Sequence, residues 1–290
     1  MKNFKNNRAL GLIVILLIYM FATAVGLFVH TLTCDNLQWW VAIMVADIAA
    51  TVVVFIFSLV FNNASVYDPY WSVKPIVIVL AYLFTAEALT AYHIALVVVV
   101  LLWGVRLTAN WAYTFTGFAY QDWRYVMLKE KTKKLYPVVN LLGIHLFPTM
   151  ITYFCIMPVS LVLRMEQQNV SPYCLIFVAT ALLSVVLQGV ADCQMHKYRK
   201  NRTTPFIRTG LWKYSRHPNY LGEILMWWSI GLACVMMTGM ALVLIGAIAN
   251  TVMFLAISIP MADKRQARKD GFEQYKKQTR SLLPIYKKQK

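Results

Sequence analysis

The sequence predicts an all-α, polytopic membrane protein of about eight transmembrane helices, and three observations predict it. Of its 290 residues, 59% are hydrophobic and only 14% charged, whereas soluble domains carry roughly a quarter charged residues. Apolar stretches long enough to cross a ~30 Å hydrocarbon layer, at ~1.5 Å per helical residue, recur along the chain. Basic residues crowd into alternate connections between them, the bias that fixes orientation in a membrane. The formal charge of +16, from 28 Lys and Arg against 12 Asp and Glu, therefore speaks for orientation. No nucleic-acid partner is expected.

Taken in order, the stretches run Leu10–Val29, Trp39–Phe61, Pro75–Ala91, His93–Ala112, Pro137–Leu163, Tyr173–Cys193, Tyr220–Met237 and Ala241–Pro260. The first follows Lys2, Lys5 and Arg8. It is too long for the apolar core of a signal peptide and reads as an anchoring helix. Only Tyr92 separates the third from the fourth, so the turn there is very short or one stretch is re-entrant. Arg124, Lys129, Lys131, Lys133 and Lys134 lie before the fifth, and Lys197, Arg199, Lys200, Arg202, Arg208, Lys213 and Arg216 lie between the sixth and seventh. The tail from Asp263 adds ten more basic residues. In the alternate connections 31–38, 164–172 and 238–239 the one basic residue is Arg164. With an even number of spans, every basic segment and both termini fall on the cytoplasmic side. One transmembrane domain, 1–262, is expected, followed by a basic cytoplasmic tail, 263–290, too short to be a domain of its own. The five cysteines show no C-x-x-C spacing and read as small packing residues.

Polar residues concentrate in four places. In Thr209-Gly-Leu-Trp-Lys-Tyr-Ser-Arg-His-Pro-Asn-Tyr-Leu-Gly-Glu223, Pro218 sits where a helix can begin. Asn219 and Glu223 then share one helix face, with Arg208, Arg216 and His217 just outside. A positive loop with a capped helix end explains the same spacing. Upstream, Gln188, Asp192 and Arg199 project on one side if that helix continues past the membrane, where Arg199 and Lys197 can meet phosphate oxygens. A helix leaving the bilayer also becomes polar, but a carboxylate inside the basic boundary is harder to explain so. The third place is Asn63-Ala-Ser-Val-Tyr-Asp-Pro-Tyr-Trp-Ser72. An interfacial aromatic belt accounts for Tyr67, Tyr70 and Trp71. Asp68, against apolar walls, would have a raised pKa and could donate a hydrogen bond to a carbonyl. The fourth is Arg106, which faces the bundle interior or snorkels to the membrane edge. His30, His93 and His145 lack metal-ligand spacing and read as structural. No Rossmann, P-loop or hydrolase motif is present.

Taken together, GLWKYSRHPNYLGE, the preceding DCQMHKYRKN, the earlier NASVYDPYWS and the closing Gly271-Phe-Glu-Gln-Tyr275 with Ser-Leu-Leu-Pro284 resemble the DUF1295 group. This is a branch of the steroid 5-alpha-reductase-like membrane enzymes, which also include the sterol C14 and C7 reductases. The resemblance runs from about Asn62 to Pro284. It implies NADPH bound from the cytoplasmic side and reduction of a carbon–carbon double bond conjugated to a ketone. The substrate would be a lipid enone, such as a 3-oxo-Δ4-steroid, drawn from the bilayer of the cell inner membrane. The implied cofactor contacts are Gln188, Asp192, Arg199, Asn219 and Glu223. Arg106, Arg208, Tyr214, Arg216, His217 and Tyr220 lie on the same motifs, and Lys264, Arg268 and Tyr275 in the tail complete the adenine and 2′-phosphate end. Asp68 falls near the family's catalytic glutamate, before a proline in both. Two positions depart from the pattern. Trp103 stands where the steroid reductases carry their catalytic tyrosine, so Tyr67, Tyr70 or Tyr113 must supply the carbonyl-polarising hydroxyl. Gln188 replaces the amide asparagine. No metal is implied.

Two other readings compete. The isoprenylcysteine and phospholipid methyltransferases resemble the same C-terminal region and use S-adenosylmethionine. They carry an acidic pair where this chain reads Asp263-Lys-Arg-Gln-Ala-Arg-Lys-Asp270, a strongly basic stretch that suits a phosphate-rich cofactor better. A non-enzymatic scaffold or small transporter is the third, but neither inverted repeats nor broken mid-membrane helices are evident.

Overall fold

The computed structural model describes residues 5–165 and 171–284; Lys2, Lys287, Lys288, Lys290 and part of the 164–172 connection lie outside them. The described residues are helical, with one isolated bridge between Ser215 and Arg280. In order, the helices are α1 Arg8–Thr33, α2 Trp39–Val60, α3 Tyr70–Thr85, α4 Ala91–Thr114, α5 Trp123–Thr132, α6 Phe147–Leu163, α7 Cys174–Lys200, α8 Pro218–Thr238, α9 Ile245–Met253, α10 Ile259–Gln266 and α11 Phe272–Gln278. The path from α5 to α6 stays helical through a 3-10 turn, Lys133–Leu135, one α-turn, Tyr136–Val139, and a π-helical stretch, Asn140–Leu146.

Among the described residues, seven helical runs are long and apolar enough to cross a membrane: Arg8–Thr33, Trp39–Val60, Ala91–Thr114, Trp123–Leu163, Cys174–Lys200, Pro218–Thr238 and Ala241–Gln266. The expected third span, Pro75–Ala91, is the correction. Its helix, α3, starts earlier and stops at Thr85 after 16 residues, about 24 Å at 1.5 Å per residue. The turn that follows is closed by the Thr90 amide, which donates to His93 Nδ1 at 3.0 Å. The stretch expected over Pro137–Leu163 also begins upstream, at Trp123, so the lysines from Lys129 to Lys134 ride on a helical path instead of a loop.

Local chemistry sets the ends. Asn7 caps α1 by accepting from the Leu10 amide, and Asp122 caps α5 by accepting from the Arg124 amide at 2.9 Å. Pro218 opens α8, as the sequence predicts, and Gly239, in the left-handed region at φ +71°, closes it.

The chain folds as two compact units, Met1–Ala81 with Trp103–Met157, and Tyr82–Leu102 with Pro158–Lys290. In the first, α1 packs along α2, and the core gathers Tyr19, Tyr67, Tyr70, Phe115, Phe118, Tyr125 and Tyr136. A buried ion pair also lies here. Lys74 of α3 approaches Asp47 of α2 at 3.3 Å, both side chains less than a tenth exposed. Gly26 of α1 allows the close approach of α2, since a Cβ there would stand 3.2 Å from the Ala46 carbonyl and 3.3 Å from the Ala50 Cβ. In the second unit, α7 and α8 make the most extensive helix contact.

The ion pair yields a prediction. Removing one partner leaves a buried charge unpaired, which costs about 3–5 kcal/mol, while an apolar pair of similar volume is near neutral. Asp47→Leu and Lys74→Met should each lower the thermal midpoint in detergent markedly, and the double variant should recover most of the loss. Additive losses in the double variant would show that the pair is not coupled.

Candidate functional site

In the first unit the YDPYWS segment forms a pinned loop. Asn63 caps the short 3-10 helix Ala64–Tyr67 by accepting from the Ser65 amide, and its Nδ2 donates to the carbonyls of Phe118 and Tyr120, each at 2.9 Å. The Asp122 amide donates to Ser65 Oγ at 2.9 Å. These bonds tie the loop to residues 118–122 and bring Asp68 beside Tyr125, whose hydroxyl donates to its carboxylate at 2.6 Å. Burial pushes the Asp68 carboxyl up to about 6, against the opposing pull of the Arg124 guanidinium and the Tyr125 hydrogen bond.

The hydroxyls expected to polarise a carbonyl are differently placed. Tyr67 shares a hydrogen bond with Thr149 at 2.8 Å, and burial raises its pKa, keeping it neutral. Tyr70 is buried with its ring 5.3 Å from Tyr19. Tyr113 is 65% exposed. Trp103 is fully buried, edge-on to Trp71. Arg106 is half-buried in α4. Tyr125, which no sequence motif singles out, is the hydroxyl that meets the acid. It lies 57 residues from Asp68, so only the folded chain pairs them.

In the second unit, α7 runs unbroken from Cys174 to Lys200, placing Gln188, Asp192 and Arg199 on one helix. Gln188 is buried, Asp192 half-buried and Arg199 exposed. Gly222 allows the close crossing of α8, since a Cβ there would stand 2.5 Å from Gln188 Cγ and 2.8 Å from the Ser184 carbonyl. Glu223, next to it, is buried and accepts from Trp227 Nε1 at 2.9 Å. Asn219 Oδ1 is buried without a hydrogen-bond partner among the described residues. Tyr214 is exposed, with Lys213 over its ring.

Arg216 and His217 converge on a residue the sequence reading passed over. Asp263 takes Arg216 Nη2 at 2.8 Å and His217 Nε2 at 3.0 Å, all three side chains nearly buried. His217 stacks on Tyr220, which packs against Phe254. The tail closes over this triad. Arg216 Nη1 donates to the Thr279 carbonyl, the amides of Arg216 and His217 donate to the carbonyls of Arg280 and Ser281, and the Tyr275 hydroxyl donates to the Trp212 carbonyl. Burial raises the Tyr275 pKa. Arg216, His217 and Tyr275 thus latch the tail onto the Arg-His-Pro motif. Lys264 and Arg268 stay exposed.

Beside α7 lies a cleft of ≈ 390 Å³ lined by Lys197, Asn201, Thr203, Thr204, Arg208 and Thr209 among others, with no carboxylate in its lining. Nearby cations reinforce its sign. The Lys269 pKa is lowered by burial and then by Arg202, Arg265 and Arg199, all like-charged. Two cations, an amide and three hydroxyls match the oxygens of a phosphate. The volume suits the phosphoribosyl end of a dinucleotide. No cluster of three or more His, Cys, Asp or Glu that could hold a metal occurs among the described residues.

The latch is testable. Asp263→Asn deprives two buried donors of their carboxylate, and removing one partner of a buried ion pair costs about 3–5 kcal/mol. Trypsin should therefore cut after Lys276, Lys277 or Arg280 at least roughly tenfold faster than in the native chain. An unchanged cleavage rate would mean that the tail is held without Asp263.

The uncharacterized protein C594.04c of Schizosaccharomyces pombe is 27% identical over 198 residues, covering 59% of this chain and 57% of the relative. The match thus spans a little over half the relative's length. No solved structure matches the chain. The family model described as "Protein of unknown function (DUF1295)" matches residues 54–279, a span that contains the pinned acidic loop, the cation-lined cleft and the Arg216–His217–Asp263 triad of the latch. The chain belongs to the DUF1295 family.

Proposed function

We propose that this polytopic membrane protein is an NADPH-dependent reductase of a carbon–carbon double bond conjugated to a ketone in a lipid, with a 3-oxo-Δ4-steroid as one candidate substrate. The observation that carries the reading is the cleft beside α7, rich in cations and hydroxyls and without a carboxylate in its lining. The Lys269 pKa is lowered first by burial and then by the like charges of Arg202, Arg265 and Arg199, and that crowding of cations supports an anionic occupant. S-adenosylmethionine carries a positive sulfonium and no phosphate, so the same charges disfavour the methyltransferase reading. Lys197 and Arg208 would hold phosphate oxygens, and Arg199, Arg202, Arg265 and Lys269 would surround them with positive charge. Buried Gln188 and Glu223 and half-buried Asn219 would orient the uncharged part of the cofactor. The latch keeps Arg216 and His217 engaged, which makes them supports of the motif.

Bound NADPH would supply the hydride; the chain supplies the acid. Asp68, with a pKa of about 6, keeps a proton into the mildly acidic range and can donate to a developing enolate oxygen. Tyr125, already hydrogen-bonded to Asp68, is the hydroxyl that can replace the one missing at Trp103. Asp68 stands on a loop that the Asn63 and Ser65 side chains pin to the backbone of residues 118–122, and Tyr125 stands on the adjoining helix α5.

Thermal stabilisation of the detergent-purified protein separates the readings. At a hundredfold excess over Kd a ligand that binds the folded state adds about 2.7 kcal/mol, so NADPH should raise the midpoint and S-adenosylmethionine should not. Stabilisation by the methyl donor alone would transfer the assignment to the rival. Arg199→Ala with Arg202→Ala should weaken NADPH by roughly tenfold or more, since charge-assisted hydrogen bonds contribute about 1.5–3 kcal/mol each, and should leave NADH little changed.

The acid has its own signature. A carboxyl with pKa about 6 that acts in its protonated form gives kcat/KM on an enone that is level below pH 6 and falls about tenfold per unit above it. Asp68→Asn should flatten the profile and lower the rate roughly a hundredfold. The folded pKa is raised above the ordinary 3.8, so the stability this group adds is present below that value and lost as pH rises through about 6. Asp68→Asn should therefore gain in thermal midpoint relative to the native chain at pH 7.5 compared with pH 4.5. A full rate with an unchanged profile in Asp68→Asn would remove Asp68 from the chemistry.

A further inference from the structure

A second pocket lies within the first unit, and its lining shares Asn63 with the pinned loop but includes neither Asp68 nor Tyr125. It measures ≈ 240 Å³ and opens between the end of α2, the loop that follows it and the segment from Lys129 to Asn140. Its lining includes Lys129 and Lys133, the amides of Asn62, Asn63 and Asn140, and the ring of Tyr136, and it includes no acid.

Three observations mark it as built to hold a ligand. Asn140, 1% exposed, donates from Nδ2 to Ser58 Oγ at 3.1 Å, yet its Oδ1 is buried with no hydrogen-bond partner among the described residues. A buried acceptor left unmatched is costly, and a ligand hydroxyl or ammonium would satisfy it. Asn140 also opens the π-helical stretch, a distortion that recurs at functional sites. The two non-glycine residues with positive φ among those described are Asn62 at 52° and Lys133 at 47°, and both line this pocket. For a lysine this conformation is strained, and such strain gathers where a ligand is met. Lys129 is already aimed. Its Nζ donates to Asn62 Oδ1 at 2.7 Å and lies 5.7 Å from the Tyr136 ring centre.

The surroundings indicate where the ligand comes from. Leu59, Val60, Leu135 and Val138 are all exposed, and on a membrane protein such side chains face acyl chains. The pocket therefore combines a cationic, hydrogen-bonding interior with an apolar rim. Its volume equals that of about eight waters, room for a small polar head and not for a dinucleotide.

We infer that this pocket holds the headgroup of an anionic glycerophospholipid, its phosphate against Lys129 and Lys133 and a headgroup hydroxyl donating to Asn140 Oδ1. The shared chemistry is a phosphate ester with a free hydroxyl, which soluble glycerol phosphates also carry. The apolar rim favours the lipid. The inference is independent of the reductase reading.

The test compares the full-length protein in nanodiscs of phosphatidylcholine alone with nanodiscs that also contain phosphatidylglycerol. Native mass spectrometry after detergent transfer reads the lipid retained. Phosphatidylglycerol should be retained over phosphatidylcholine, and Lys129→Gln with Lys133→Gln should lower that preference roughly thirtyfold, each lysine near an anionic surface contributing about a factor of five. Both lysines are exposed, so the double variant should keep the native thermal midpoint in phosphatidylcholine, which separates lost binding from lost folding. Equal retention of the two lipids by the native chain, or undiminished preference in the double variant, would overturn the assignment. If millimolar glycerol 1-phosphate stabilises the protein as much as phosphatidylglycerol does, the pocket chemistry stands and the lipid is overturned as its source.

Discussion

A hydrocarbon solvent offers no hydrogen bonds and almost no dielectric, so every charge placed within it must be satisfied by the protein itself. Much of this structure follows from that constraint. Asp47 and Lys74 lie on apolar helices and turn toward each other. Arg216, His217 and Asp263 do the same in the second unit, and because Arg216 has donors to spare it also captures the carbonyl of Thr279. Satisfying a charge and folding a segment are here one event.

The latch changes how the Arg-His-Pro motif is understood. As a linear pattern its cations look like ligands waiting for an anion. In the folded chain they are consumed by an internal carboxylate and by tail carbonyls, and the cations open to solvent stand elsewhere, on Lys197, Arg199, Arg202, Arg208 and Arg265. The motif therefore serves to hold α8, α10 and the tail in register. The proposed recognition of an anion is assigned instead to the cleft beside α7, where hydroxyls and amides join the charges. This division is physically sensible, because a rigid support and an exchangeable ligand place opposite demands on one side chain.

A comparable division exists in the first unit. Asn63 and Ser65 anchor the loop through backbone bonds, leaving Asp68 half-buried beside Tyr125. Burial sets the acid's affinity for its proton, and the tyrosine sets its orientation. Neither property belongs to Asp68 alone. The strained pair Asn62 and Lys133 shows the same unit spending conformational strain at another polar pocket, on residues that play no part in anchoring the acid.

Apolar length determined the helical membrane architecture from sequence alone, because a bilayer enforces a length on each span. Pro218 announced the start of α8, and the spacing of Gln188, Asp192 and Arg199 put them on one side on the condition that α7 continued past Cys193, which it does. The motifs likewise carried the family. What the sequence did not determine was where α3 ends, because the residues of 86–90 are compatible with continued helix and only the turn onto α4 stops it. Nor could it reveal that Asp47 meets Lys74, that Tyr125 meets Asp68, or that Asp263 claims Arg216 and His217. Those partners are separated by 27 to 57 residues along the chain, and the energy that selects them arises only when helix packing removes the alternatives. Tertiary structure decided which polar groups are supports and which remain open to a ligand, because burial, the quantity that separates them, does not exist before the chain has folded.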